Sequence, residues 1–163
     1  MRSKSFDGMA CSIAGVLAAI GDRWAALILR DLSLGLSKYE DLRRSSGATH
    51  ATLSDRLKHL EQNELIKRRR YQTGPERFEY LLTQKGRDTM LLMLALAEVG
   101  DKWKISGAIG PPLVFANRKT GAPVKLTLVD QKTGEQVNIR DLLPQGGPGA
   151  DDLVRWRLTH FNK

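Results

Sequence analysis

Ile13, Val16, Leu17 and Ile20 recur at i, i+3, i+4 and i+7, the spacing of one helix face, and predict a helix over Cys11–Ile20. Gly21-Asp22 breaks the pattern. Trp24, Leu27, Ile28 and Leu32 resume it and predict a second helix over Arg23–Leu34, ended by Gly35. Ser37-Lys-Tyr-Glu40 has the form of a capping box, in which the Ser37 hydroxyl accepts from the Glu40 N–H and the Glu40 carboxylate reaches back to the cap. A third helix is therefore expected from Lys38 to about Ser46, stopped by Gly47, which tolerates a left-handed backbone. Thr49 is placed to cap a fourth helix after a very short turn. Two short helices across a glycine turn form the helix-turn-helix pattern.

In the fourth helix Leu53, Leu57 and Leu60 make one stripe, so Ala51, Asp55, Lys58 and Gln62 lie opposite, flanked by Thr52, Ser54 and His59. That outer face is polar and small enough to approach the edges of bases. Two strands are expected next, Leu65–Tyr71 and Arg77–Thr83, joined through Gln72–Glu76, with Phe78, Tyr80 and Leu82 alternating inward. Thr83 then caps a long helix to about Trp103, apolar around so much of its circumference that it needs more than one partner surface. Gly-Ala-Ile-Gly-Pro-Pro over Gly107–Pro112 interrupts the helical pattern and marks a domain boundary. Beyond it, short alternating runs at Val124–Val129 and Val137–Ile139 predict a β hairpin, Lys-Thr-Gly occurs twice, at 119–121 and 132–134, and Gln145–Ala150 is expected to be loop. The fold class expected is mainly α, of the α+β kind: a winged helix-turn-helix domain over residues 8–106 and a mainly β hairpin extension over residues 112–163.

Charge sharpens this picture. Of 163 residues, 26 are Lys or Arg and 18 Asp or Glu, a formal charge of +8 that attracts polyanions. Residues 38–77 hold ten of the basic residues against six acidic ones, so half of the excess sits in the helix pair and the hairpin. A helix entering the major groove needs flanking cations to hold it on the phosphates, and Lys67-Arg68-Arg69-Arg70 supplies them. Taken alone, that run is also what a solvated strand edge carries to discourage aggregation. No apolar run reaches the length of about 18 residues needed to span a membrane. Arg2 and Lys4 ahead of Met9–Ile20 have the outline of a signal peptide, but Asp7 and the one-faced periodicity favour an amphipathic first helix. With one cysteine in the chain, no intramolecular disulfide forms, and a reducing, cytoplasmic setting is expected.

The matching stretches Ile20-Gly-Asp-Arg-Trp24 with Leu27-Ile-Leu-Arg30, Tyr39–Leu42, Leu53-Ser-Asp-Arg-Leu-Lys-His-Leu-Glu61, and Glu79-Tyr-Leu-Leu-Thr83 with Gly86, together with Cys11, resemble the HxlR family of bacterial regulators. The resemblance spans about 90 residues. It implies a winged-helix homodimer, with the first and last domain helices at the interface, that binds operator DNA as a repressor or activator of transcription. Family members commonly have Gly where this chain has Asn63 or Glu64; Asn also adopts the left-handed conformation, so the turn is expected to persist. The tail resembles extensions in which a ribbon-like hairpin carries paired cysteines before Gly-Pro-Gly-Ala. Here Gly147–Ala150 is kept, but no cysteine follows Cys11, so metal binding does not carry over.

The expected DNA contacts are Thr49, His50, Thr52, Ser54 and Lys58 on the groove helix and Arg68, Arg70 and Arg77 on wing phosphates, with Arg56 as a support or phosphate contact. Asp55 is repelled by phosphate, though a carboxylate accepts from cytosine N4. His50 and His59 are expected to face DNA or solvent. These two and His160 lack metal-ligand spacing, and no phosphate-cradling glycine loop or nucleophile elbow is present, so no enzyme, cofactor or metal is expected. The expected partners are double-stranded operator DNA, a second copy of the chain and a small-molecule effector of unspecified chemistry, with no membrane. The competing reading is a winged-helix protein-interaction module without DNA binding, which Asp55 favours and the arginine-rich hairpin opposes. Cys11 is a possible redox residue at the start of a helix. Without a nearby Lys, Arg or His in sequence, or a resolving cysteine, it reads better as a small packed hydrophobe at the dimer interface.

Overall fold

The computed structural model describes Phe6 and residues 8–161, and Arg2, Lys4 and Asp7, weighed above, lie outside them. The chain divides into two compact units, Met1–Ala97 and Glu98–Lys163. In the first, α1 (Ser12–Ile20) and α2 (Arg23–Ser33) meet at 81°. Gly21 makes the bend at φ 92°, and a Cβ there would come within 2.9 Å of the His59 ring. Asp22 then caps α2, its Oδ1 accepting from the N–H groups of Trp24 (3.0 Å) and Ala25 (3.1 Å). Cys11 is the cap residue of α1; it is partly buried and makes no side-chain capping bond. Among the described residues no single helix is long and apolar enough to cross a membrane.

α3 (Tyr39–Ser46) and α4 (His50–Gln62) follow. The capping box expected at Ser37 does not form: Lys38 occupies the cap position and no side chain caps the helix. Residues 37 and 38 are instead held alongside the hairpin of β1 (Ile66–Thr73) and β2 (Glu76–Leu82). The Tyr80 N–H donates to the Ser37 carbonyl (2.8 Å), Lys38 bridges Glu79, and the Ser37 hydroxyl turns toward the Glu79 carboxylate (3.5 Å). Pairing with β2 holds Ser37 in the sheet and turns toward Glu79 the hydroxyl that the cap would have used.

The core packs Ile28, Leu29 and Leu32 of α2 with Leu42 of α3, the Leu53, Leu57 and Leu60 stripe of α4, and Leu65 and Ile66. Between α4 and β1 the turn persists, and of the two positions the glycine analogy named the left-handed residue is Glu64 (φ 58°), not Asn63. The long helix expected after Thr83 is divided. α5 (Gln84–Asp88) is capped by Thr83, which accepts from the Gly86 N–H (3.1 Å), and α6 (Met90–Lys102) begins after Thr89. Both the amide and the hydroxyl of Thr89 bond the Gly86 carbonyl (3.2 and 2.6 Å), tightening the turn and interrupting the helix.

In the second unit β3 (Leu128–Val129) pairs antiparallel with β4 (Gln136–Val137). The expected hairpin is there but short, because Asn138 leaves the ladder to cap a single 3-10 turn, accepting from the Arg140 N–H at 2.9 Å. The two Lys-Thr-Gly triplets are equivalent turns. Asn117 Oδ1 accepts from Lys119 N–H (2.8 Å) and Asp130 Oδ1 from Lys132 N–H (2.7 Å), with Gly121 and Gly134 at φ 70° and 74°. The amides of Thr133 and Lys132 hold the Asp130 carboxyl below its ordinary range. Gln145–Ala150 is irregular, and α7 (Asp152–Leu158), capped by Asp151, follows; no helix was expected there.

Among the glycines Gly86 has the closest neighbour, since a Cβ there would run into the Leu65 carbonyl oxygen, which already accepts from the Thr83 amide. Gly86→Ala is expected to lower stability by about 1–3 kcal/mol, read as a lower urea midpoint at constant slope.

Candidate nucleic-acid interface

The helix pair is set by local chemistry at its turn. Gly47 ends α3 in the left-handed region (φ 71°), its N–H bonding the Arg43 carbonyl at 3.0 Å. Thr49 caps α4 as expected, accepting from the Thr52 N–H (3.2 Å), and the two hydroxyls lie 3.0 Å apart. Burial of the leucine stripe turns His50, Ala51, Ser54, Asp55, Lys58 and Gln62 outward, while Thr52, Arg56 and His59 sit half-buried at the edges.

Tyr39 joins the two helices. Its hydroxyl lies 3.1 Å from the His50 carbonyl, 3.0 Å from Ser54 Oγ and 3.3 Å from His50 Nδ1, and its ring stacks on the imidazole at 5.8 Å and 13°. One phenolic proton serves this set, so with Tyr39 donating to the carbonyl, the Ser54 hydroxyl donates back. His50 and Ser54 are thus oriented before any ligand arrives.

The edges of α4 are anchored at the opposite end of the first unit. Arg56 Nε lies 2.8 Å from Asp22 Oδ2, out of line for a hydrogen bond, so Asp22 caps α2 with one oxygen and ion-pairs α4 with the other. Arg56 is thereby a support. His59, expected to face DNA or solvent, instead points its Nε2 at the Ala18 carbonyl (3.1 Å) against the end of α1. Lys58 and Asp55 are exposed and make no ion pair among the described residues.

Strand alternation sorts the wing. Ile66, Arg68 and Arg70 share a face with Phe78 and Tyr80, whereas Lys67 and Arg69 share the other with Glu79 and Leu81. Arg68 lies over the Phe78 ring (5.1 Å) and 3.5 Å from Glu61; Arg70 pairs with Glu76 (2.9 Å) and Arg69 with Glu79 (2.7 Å). Arg77 falls on the face opposite Phe78, is exposed and has no ion pair among the described residues. The three expected wing contacts therefore do not lie on one face. Desolvation pushes the half-buried Tyr80 hydroxyl upward, opposed by Arg68.

Sequence reasoning missed the pinning by Tyr39 and the double duty of Asp22. Their partners are 15 and 34 residues away, and no periodicity links them. The Asp22-Arg-Trp-Ala order, an acidic cap before an apolar helix, was the one local signal available.

A buried-stripe helix held against its neighbour by a glycine turn, followed by a basic hairpin, defines a winged helix-turn-helix protein. An HxlR-like helix-turn-helix family model matches residues 19–107. The chain is 34% identical over 147 residues to the uncharacterised HTH-type transcriptional regulator Rv3095 of Mycobacterium tuberculosis, covering 90% of this chain and 91% of that protein. The crystal structure of PA1607, described as a candidate transcription factor, superposes with a TM-score of 0.74 at 27% identity over 87% of this chain and 99% of that one. PA1374 of Pseudomonas aeruginosa, described likewise, gives a TM-score of 0.62 at 29% identity, covering 91% of this chain and all of that one. The chain belongs to the HxlR-like helix-turn-helix family and is a transcriptional regulator with a helix-turn-helix domain.

Asp22→Ala should cost about 1–2 kcal/mol in urea unfolding, because it removes a cap and an ion-pair partner together. Arg56→Ala, which loses only a half-exposed ion pair, should cost less than about 1 kcal/mol. Equal losses would show that the ion pair, and not the cap, is the dominant contribution of Asp22.

Proposed function

We propose that this regulator binds double-stranded operator DNA as a homodimer, with α4 in the major groove and the hairpin on the flanking backbone. The observation that carries the reading is the outer face of α4, polar and, among the described residues, without an ion pair at Lys58, next in sequence to a hairpin with four consecutive basic residues. Thr49, Thr52, His50 and Ser54 offer hydroxyl and imidazole groups to base edges or phosphates, and Lys58 a point charge. Arg68, Arg70 and Arg77 meet phosphates as the hairpin crosses the backbone. The surface ion pairs of Arg68 and Arg70 are weak enough to be exchanged for phosphate. Such a protein works beside the chromosome, in the cytoplasm.

The dimer rests on exposed apolar helices. Ile13, Val16 and Leu17 of α1 and Leu91 and Leu96 of α6 are each exposed by 46% or more. Between α1 and α5–α6 lies an apolar cleft of about 540 Å³ lined by Gly15, Val16, Ala19, Leu91 and Leu92, which a helix of a second copy fills. Cys11, one residue ahead of α1, packs at the edge of this surface in the same reading. The carboxylate of Asp55 on the outer face, together with the pairing of wing arginines to Glu61, Glu76 and Glu79, favours the protein-interaction alternative. A salt series separates the two, since counterion release makes DNA binding fall steeply with salt and an apolar contact does not.

Lys58→Ala and Arg70→Ala should each weaken DNA binding and reduce the slope of log K against log salt by about one unit. Parental affinity and slope in both would place the interface elsewhere. Light scattering at micromolar concentration should give twice the chain mass, and Leu17→Glu with Leu91→Glu should halve it; a monomeric parent sinks the dimer. The selected operator should be roughly palindromic, with half-sites about one helical turn or a multiple of it apart.

A further inference from the structure

The α2–α3 connection, the base of the hairpin and the α5–α6 junction enclose a second cleft of about 620 Å³, within the size range of small-molecule sites. Leu32, Leu81, Leu82 and Met90 give it apolar walls beside the Tyr80 ring, and Lys67 and Arg87 stand on its lining. Among the described residues no carboxylate lines it. Glu79, whose carboxylate lies 3.5 Å from the hydroxyl of the lining residue Ser37, is held by Arg69 at 2.8 Å. Arg87 bonds only neutral acceptors, the Leu82 carbonyl through Nη1 (3.0 Å) and Gln84 Oε1 through Nη2 (3.0 Å) and Nε (3.3 Å). Lys67 is exposed on β1 and has no acid partner among the described residues. Two cations without acid partners on an apolar cavity are complementary to an amphiphilic anion.

We propose that this cleft is a binding site for a small organic anion, its aromatic or aliphatic body against Leu32, Leu82 and Met90 and its carboxylate taken by Lys67 and Arg87. The hydroxyls of Ser33 and Ser37 supply donors for a second polar group.

The position gives such a ligand leverage. Lys67, Tyr80, Leu81 and Leu82 belong to the wing, Ser33, Gly35 and Ser37 to the connection leading into the helix-turn-helix, and Arg87 and Met90 to α5 and the start of α6, the latter assigned to the dimer. A ligand touching all three stabilises one arrangement of them, and by linkage DNA changes the affinity for the ligand by the same factor that the ligand changes the affinity for DNA. This regulatory consequence rests on the DNA-binding reading; the site itself does not.

The test is a calorimetric titration of the full chain, without DNA, with 2-naphthoate and with its uncharged analogue 2-naphthamide. Naphthoate should bind saturably and the amide about tenfold more weakly. Lys67→Gln and Arg87→Gln should each weaken naphthoate about tenfold and leave the amide unchanged. Arg87 also ties α5 to β2, so should Arg87→Gln unfold, the exposed Lys67→Gln carries the test alone. No saturation by about 10 mM naphthoate, equal affinity for acid and amide, or parental affinity in the folded variants overturns the site. Naphthoate should then shift DNA affinity in the parent and not in Lys67→Gln. Failure of all DNA binding would count against the DNA reading and leave the direct titration standing.

Discussion

Burial of Leu53, Leu57 and Leu60, each exposed by 2% or less, governs what the first unit presents to its surroundings. A helix has 3.6 residues per turn, so placing these three against Ile28, Leu29 and Leu42 leaves no freedom in which side chains face out. Rotating α4 by one residue would bring Ser54 or Lys58 toward the core, burying a hydroxyl or an ammonium without a partner. The polar outer face is thus a consequence of core packing, and the residues at the ends and edges serve to hold the helix in that one rotation. Thr49 and Tyr39 act at its start, Asp22 through Arg56 at its middle, and Ala18 through His59 near its end.

The charges obey a different logic. Three of the four consecutive basic residues of the wing are matched by a glutamate from a neighbouring strand or helix, and only Lys67 stays without one among the described residues. Such pairs contribute little to stability at an exposed site, but they lower the local field until a stronger anion displaces the carboxylate. In the DNA-binding reading proposed above, phosphate would do so at the cost of breaking each pair, which would damp indiscriminate attraction to DNA, whereas Lys58, Lys67 and Arg77, without ion pairs among the described residues, would need no exchange.

What could be read from the sequence is what local patterning controls. The leucine stripe, the glycine at the turn and the threonine cap follow from neighbours within four residues, and each is found where expected. The failures come from partners far along the chain. Ser37 does not cap α3 because β2, more than 40 residues on, pairs with it and turns its hydroxyl toward Glu79. His59 lies just beside the stripe, and only the approach of α1 decides that its ring turns inward. Tyr71 forms a bulge that shifts the register of the hairpin after Arg70, so that Arg77 pairs with Gln72, an irregularity that alternation along the strands does not reveal. Thr89 interrupts a helix by competing for one carbonyl, and α7, seven residues long, is too short for periodicity to show. In the site, the outward residues were legible and their internal partners were not. Arg56 looks the same in sequence whether it meets a phosphate or Asp22.

α6 poses the remaining physical question, because it contains no buried residue although Leu91, Leu92, Leu94, Leu96 and Val99 lie along it. A 13-residue helix is marginal by itself in water, and helices of this length are normally held by packing of an apolar face. α1 shares the condition: it buries Ala14 and Ile20 and exposes the bulkier Ile13, Val16 and Leu17. Two helices that expose their larger apolar residues and bury few or none are what the homodimer proposed above would cover, with a helix of a second copy in the cleft beside α1 and α6. Met90, the first residue of α6, also lines the cleft of Lys67 and Arg87. Assembly and ligand occupancy would then bear on one junction, Gly86–Met90, where the close approach of Gly86 to the Leu65 carbonyl leaves little room for independent adjustment.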